Sequence, residues 1–123
     1  MSAQNITAMV LAARTTSVSA ADIDNTSGIG ATVVIDITAI TGTTPTATFT
    51  VEGKDEVSGK YYTILASAAL STVSTTVLRI YPGLTAAANL VASSVVPKTF
   101  RVSVTITGTT PAVTATVGVA LHD

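Results

Sequence analysis

Ile40-Thr41-Gly42-Thr43-Thr44-Pro45 and Ile106-Thr107-Gly108-Thr109-Thr110-Pro111 are one hexapeptide present twice in the chain. Each copy stands between two runs that alternate apolar and polar residues. Gly supplies the positive φ that a tight connection needs. Pro holds the preceding Thr extended and sets φ where the next run starts. The spacing therefore predicts two hairpins with the same turn chemistry, and with them an all-β domain. The flanking runs match poorly, so the repeat fits turn reuse, with duplication as the other reading.

The alternation around the second copy is the clearest. Phe100, Val102, Val104 and Ile106 fall on one face, with Arg101, Ser103, Thr105 and Thr107 on the other. After the hexapeptide, Val113, Ala115, Val117, Val119 and Leu121 share a face. Period two over this length is the pattern of a half-buried strand, because successive side chains point to opposite sides. Around the first copy, Ala47, Phe49 and Val51 alternate with Thr46, Thr48, Thr50 and Glu52. Upstream, Val33, Ile35, Ile37 and Ala39 are placed together. Val34 and Ile40 are then left on the outer face beside Asp36 and Thr38, which calls for cover by another segment or subunit.

Further strands are expected at residues 61–65 and 74–81, the latter with Leu78 and Ile80 inward and stopped by Pro82-Gly83. Residues 84–96 fit a short helix or a crossover loop. Ile6, Met9, Val10 and Ala13 fit a helical turn, while Ile6, Ala8, Val10 and Ala12 fit a strand. The sum is an antiparallel two-sheet β-sandwich, immunoglobulin-like or jelly-roll-like, of about seven strands. Residues 1–30 are expected as an N-terminal arm and first strand region, and residues 31–123 as the sandwich core.

Composition narrows the function classes. Cysteine is absent, so no disulfide or thiolate metal site can form. The net charge of −1 gives no electrostatic case for nucleic acid or an anionic membrane. Charged residues make up 11% of the chain, against roughly a quarter in an average soluble domain. Hydrophobic residues reach 47%, but no run approaches the roughly 20 residues of a helical membrane span. A surface of Thr, Ser and Ala with this little charge lacks the usual protection against association and suits a permanent neighbour. Residues 1–13 do not resemble a secretory signal, lacking a basic start before the apolar stretch. Synthesis in the cytoplasm without export is expected.

The candidates for chemistry are few. His122 is the single histidine, expected to be exposed near the end of the chain, and without a second His or a Cys it builds neither a triad nor a zinc site. Asp22-Ile23-Asp24-Asn25 has the oxygen-rich look of a cation loop but lacks a downstream bidentate carboxylate, so an Asx-type turn is expected. Glu52, Asp55 and Glu56, near Lys54 and Lys60, read as a solvated loop. Arg14, Arg79, Lys98 and Arg101 are dispersed and form no basic stripe. Tyr61 and Tyr62 point to opposite faces, which weakens a carbohydrate-binding reading. These residues argue against an enzyme and for a structural or binding module, with no cofactor and no metal.

The stretch from Val51 through Glu52-Gly53-Lys54-Asp55 and Lys60-Tyr61-Tyr62 to Ser67 resembles small structural proteins of tailed bacteriophages. So does Val77-Leu78-Arg79-Ile80-Tyr81-Pro82-Gly83, followed by Val96-Pro97-Lys98-Thr99-Phe100. The pattern is similar to that of head decoration, or cement, proteins, which bind the outside of an assembled capsid. The resemblance runs from about Val33 onward and rests on fold and turn signatures. It implies a non-enzymatic β-protein on the virion exterior that stabilises contacts between capsomers. Its partners would be the major capsid protein and copies of itself, as a homodimer or homotrimer, with no nucleic acid and no membrane. A tail or fibre component, either a tube or connector subunit or a glycan- or receptor-binding module, is the alternative. The candidate interface residues are Ile6, Met9 and Leu11 near the N-terminus, with Val34 and Ile40 on the outer face. Residues 1–14 are expected to order on the capsid or on a neighbouring subunit.

Overall fold

A computed structural model describes residues 4–26 and 28–123. Its strands are β1 (Gln4–Arg14), β2 (Val18–Ser19), β3 (Ile23–Asp24), β4 (Gly30–Lys54), β5 (Tyr61–Ala66), β6 (Ser74–Ile80), β7 (Val91–Ala92) and β8 (Thr99–His122). The chain is all-β, and the described residues contain no helix. The strand order is β1-β8-β4-β6-β7, with β2 and β3 also on β8 and β5 on β4. Every pairing is antiparallel except β6 with β7, so hydrogen bonds join all eight strands into one mixed sheet.

That sheet differs from the expected pair of separate sheets because neither hexapeptide closes a hairpin. β4 and β8 run antiparallel over nearly their whole lengths, from Gly30 opposite His122 to Gly53 opposite Phe100. Each passes straight through its copy of the hexapeptide, and the copies meet, with Thr43 opposite Thr109. The register shifts on both sides of this pair: an extra residue enters β8 on one side and β4 on the other. These are β-bulges, which bend a strand without ending it. Gly42 and Gly108 both have φ +121, and Thr44 and Thr110 have φ +48 and +46. The contacts are reciprocal. A Cβ on Gly42 would stand 2.9 Å from Pro111 Cα, and one on Gly108 would stand 2.9 Å from Pro45 Cα. The repeat thus marks a local two-fold crossing, at which each strand supplies the same bulge.

On one side of the crossing, residues 30–41 of β4 lie between β6 and residues 112–122 of β8, with β1 beyond β8. On the other, residues 46–54 of β4 lie between β5 and residues 99–107 of β8, with β2 and β3 beyond. The period-two pattern sends Val33, Ile35, Ile37, Leu78, Ile80, Val117 and Val119 inward on the first side. Phe49, Val51, Leu65, Phe100, Val102 and Val104 are inward on the second. All belong to one buried cluster. Each such side chain stabilises the fold by roughly 1.5–3 kcal/mol on full burial.

The outer-face placement of Ile40 is corrected by a further bulge. Ile37 pairs with Ala115 and Ala39 with Thr114, so Thr38 is an added residue. One added residue exchanges the two faces. Ile40 therefore faces Val113 and packs against the core, while Ala39 is exposed. Residues 84–96 form no helix. Gly83 (φ +89) and Asn89 (φ +64) turn the chain, which brings β7 parallel to β6 through the bond from Arg79 N to Leu90 O (2.9 Å). Gln4–Arg14 is β1, the outermost strand beside β8, and its Met9 is 4% exposed in the core. Residues 1–3, the start of the segment expected to order on a partner, lie outside the described residues.

Candidate interaction surface

The structure separates the five candidate interface residues. Ile6 pairs with Val119 and packs against the core, as does Ile40; Met9 is buried. Leu11 is 60% exposed and Val34 38%. Leu11 has an apolar neighbour that sequence reasoning did not single out, Val10, at 66% exposure. Met9 pairs with Val117 and Ala12 with Ala115, so Val10 and Leu11 stand where β8 supplies only Thr116. This bulge pushes both side chains out along the free edge of β1. Arg14 fills the gap behind them: its Nη2 donates to Val10 O (2.7 Å), and its Nη1 donates to Ala12 O and Ala115 O (3.1 Å each). A bulge and an inward-turned charge are both devices that keep an edge strand from pairing with foreign strands.

Val34 lies on the broad outer face of β1, β8, β4 and β6. It stands opposite Gly118 on one side and Val77 on the other. Gly118 has no side chain, and an added Cβ there would meet nothing within 4 Å. The result is an open trough of about 320 Å³, lined by Thr7, Thr32, Val34 and Ala120 among others. The charges on this face are Asp36, whose Oδ1 accepts from Thr75 Oγ1 (3.1 Å), and the exposed Arg79. Val77 and Arg79 were legible as outward once Leu78 and Ile80 were placed inward. Their position beside Val34 was not, because it depends on β6 pairing with β4.

The remaining charges gather beyond the crossing. Tyr61 donates its hydroxyl to Asp22 Oδ1 (2.6 Å), and Lys54 reaches Asp22 Oδ2 (3.3 Å). The Arg101 guanidinium stacks 3.5 Å from the Tyr61 ring centroid, and Arg101 Nε donates to Glu52 Oε1 (2.9 Å). The Tyr61 hydroxyl, followed by Lys54, holds the Asp22 carboxyl below its ordinary 3.8. The same bond raises Tyr61 above 10.0, and Asp22 raises Lys54 above 10.5. Asp24 pairs with Lys98 at 2.9 Å. Both carboxylates of the suspected cation loop are thus engaged by cations. Asn25 closes an Asx-type turn, its Oδ1 accepting from Gly28 N (2.7 Å) while Nδ2 donates to Val96 O (3.1 Å). No group of three or more His, Cys, Asp or Glu able to hold a metal occurs among the described residues.

Two of the three tyrosines are engaged within the chain, while Tyr62 is 49% exposed. Arg101 covers Tyr61, Tyr62 lies across Gly53, and Tyr81 donates to Asp123 O (2.7 Å). His122 is half-buried rather than exposed. Its Nε2 is 2.9 Å from Thr32 Oγ1, which ties the end of β8 to the start of β4. Comparison with protein-family models, curated proteins and solved structures found no match for the chain.

Proposed function

We propose that this chain is a non-enzymatic structural protein of a tailed bacteriophage, which binds the outer surface of the capsid and stabilises contacts between capsomers. The observation that carries this reading is the uneven placing of charge. Outside the end that holds Asp22, Asp24, residues 52–60, Lys98 and Arg101, the charged residues are Arg14, Asp36, Arg79 and Asp123. The Arg14 guanidinium is turned onto backbone carbonyls. What remains is a Thr-, Ala- and Val-covered surface with Val10 and Leu11 projecting from the β1 edge. Depletion of charge is the compositional mark of an interface core. In this reading the β1 edge grips the capsid. Many weak copies then oppose separation of the capsomers through avidity, without any single strong site.

The architecture supports a rigid cement. We infer that the sheet folds over at the crossing so that its two inner faces stack as a sandwich. Inner residues from both sides form one cluster, with Val33, Val51, Phe100 and Val117 each 0% exposed. The loop beside β7 also reaches β5, where Asn89 Nδ2 donates to Ala66 O (3.2 Å).

Cryo-electron microscopy of purified virions tests the reading. Density for this chain is expected on the outer head at capsomer junctions, with β1 toward the shell. The double substitution Val10→Asp and Leu11→Asp is expected to abolish decoration of bare heads. Density confined to the tail or fibres would overturn the proposal in favour of a tube, connector or receptor-binding role.

A further inference from the structure

We propose that the outer face of β4, β6 and residues 112–122 of β8 is the docking site for a second copy of this chain, about a two-fold axis between Val34 and Val77. This goes beyond the capsid reading and does not rest on it, since it assigns a different surface.

The inference comes from the order of residues across the face. β4 and β6 place three outward pairs in succession: Thr32 with Arg79, Val34 with Val77, and Asp36 with Thr75. The middle pair is apolar. The base lies one pair to one side of it and the acid one pair to the other, on the neighbouring strand. An isologous interface must be complementary to itself under a two-fold rotation. An axis in the plane of this face, through the midpoint of Val34 and Val77 and at right angles to the Asp36–Arg79 diagonal, carries Asp36 onto the partner's Arg79. It carries Arg79 onto the partner's Asp36 in the same motion. The two valines of each copy then meet at the centre, beside the trough over Gly118.

Both charges are equipped for this. Thr75 engages only Oδ1 of Asp36. Arg79 makes no side-chain hydrogen bond or ion pair to another described residue. A guanidinium presents a planar fork that matches a carboxylate. Among the described residues, no other Asp, Glu, Lys or Arg stands at an outward position of β4, β6 or residues 112–122 of β8 on this side of the crossing. A capsid protein of arbitrary charge would not need an acid and a base placed symmetrically about an apolar pair; a second copy does.

The size sets the strength. Three strands spaced at about 4.8 Å, each presenting about seven residues at about 3.3 Å, give a projected face of roughly 330 Å² per copy. A standard interface buries about 800 Å² per partner. The dimer is therefore expected to be weak and to fill in where copies are concentrated.

Sedimentation equilibrium of the purified full chain, without capsids, across the micromolar range is the test. A monomer–dimer equilibrium is expected. Asp36→Arg sets Arg against Arg twice, Arg79→Asp sets Asp against Asp twice, and each should weaken dimerisation by at least about a hundredfold. The swap Asp36→Arg with Arg79→Asp should restore it. Circular dichroism separates misfolding from lost association, and the exposed Arg79 keeps the test valid if Asp36→Arg folds poorly. A wild type that stays monomeric throughout that range, or single reversals that leave the dimer intact, would overturn the proposal. A wild-type chain that dimerises but leaves bare heads undecorated would instead count against the capsid reading alone.

Discussion

Substituting Gly42 or Gly108 by Ala tests whether the repeated hexapeptide is a crossing of two through-going strands. Each glycine has φ +121, where an L side chain costs about 1–3 kcal/mol. The new methyl would also lie 2.9–3.0 Å from three backbone atoms of the opposing strand: the Cα of Pro111 or Pro45 and two carbonyl oxygens. Backbone cannot rotate away as a side chain can, so the β4–β8 ladder must shift and weaken adjoining hydrogen bonds, at about 1 kcal/mol each. The sum is about 3–4 kcal/mol for either substitution. At about 4 °C per kcal/mol for a domain of this size, Tm should fall by roughly 12–16 °C. Two controls separate the causes. Gly59 has φ +75 but open space around its Cα, so Gly59→Ala should cost only the conformational part, about 1–2 kcal/mol. Gly118 has neither constraint, and Gly118→Ala should change stability by less than about 1 kcal/mol. Because the two crossing sites are geometrically equal, their costs should agree within about 1 kcal/mol. The double substitution should cost less than the sum, since both open the same ladder. Urea denaturation of the five variants gives the comparison. If Gly42→Ala costs no more than Gly59→Ala, or one crossing glycine tolerates Ala and the other does not, the paired-bulge geometry is refuted.

Thr44 and Thr110 are β-branched residues at positive φ, a conformation that Asn visits far more readily, so Thr44→Asn and Thr110→Asn should each raise stability by about 1 kcal/mol in the same assay. Arg14→Ala removes three donated bonds around the β1 bulge; a loss of about 1–2 kcal/mol is expected. Hydrogen exchange should quicken first at β1 amides, and Arg14→Lys should not rescue it, because an ammonium cannot span three carbonyls as the fork does. The Asp22 cluster predicts stability lost at both ends of the pH scale. A lowered carboxyl pKa adds stability that is complete above 3.8 and disappears as pH falls through the folded value. A raised Tyr61 pKa adds stability that is complete below 10.0 and disappears as pH rises through the folded value. Asp22→Asn should therefore flatten both limbs and return the phenolate absorbance titration toward 10.0; an unmoved titration would show that the bond to Tyr61 does not form.

Local pattern carried much of the fold. The inward sets of β8, of both ends of β4 and of β6 follow from alternation alone, because a half-buried strand repeats every second residue. β5 and β6 were legible from β-branched runs bounded by Gly and Pro. The hexapeptide was misread for a physical reason. Gly-Thr-Thr-Pro offers the same positive φ and rigid proline to a hairpin turn and to a bulge, and only the pairing partner, far along the chain, decides between them. Ile40 failed through the same mechanism, since an added residue at Thr38 reverses parity without leaving a mark in composition. Of the candidate surface, Val34 followed from parity. Leu11 was named although residues 1–14 fitted helix and strand alike. Its exposure depends on the bulge, and the neighbourhood of Val34, Val77, Asp36 and Arg79 depends on strand order, neither of which is written in any local window.

The continuous β4–β8 ladder also dictates how the protein must be made. β4 leaves the ribosome with its chief partner still to be synthesised, after β5, β6 and β7 have all emerged. The hairpin with β5 and the pairing with β6 can cover one edge of β4 early, but the edge that meets β8 waits for residues distant in sequence. Chains dominated by such distant pairings fold in milliseconds to seconds rather than microseconds. During that interval β4 offers Val33, Ile35, Ile37, Phe49 and Val51 on a strand whose β8 edge is open, a surface prone to aggregation. Slow folding, with one edge of β4 open during synthesis, is therefore the kinetic counterpart of a sheet in which two strands serve both sides of the crossing.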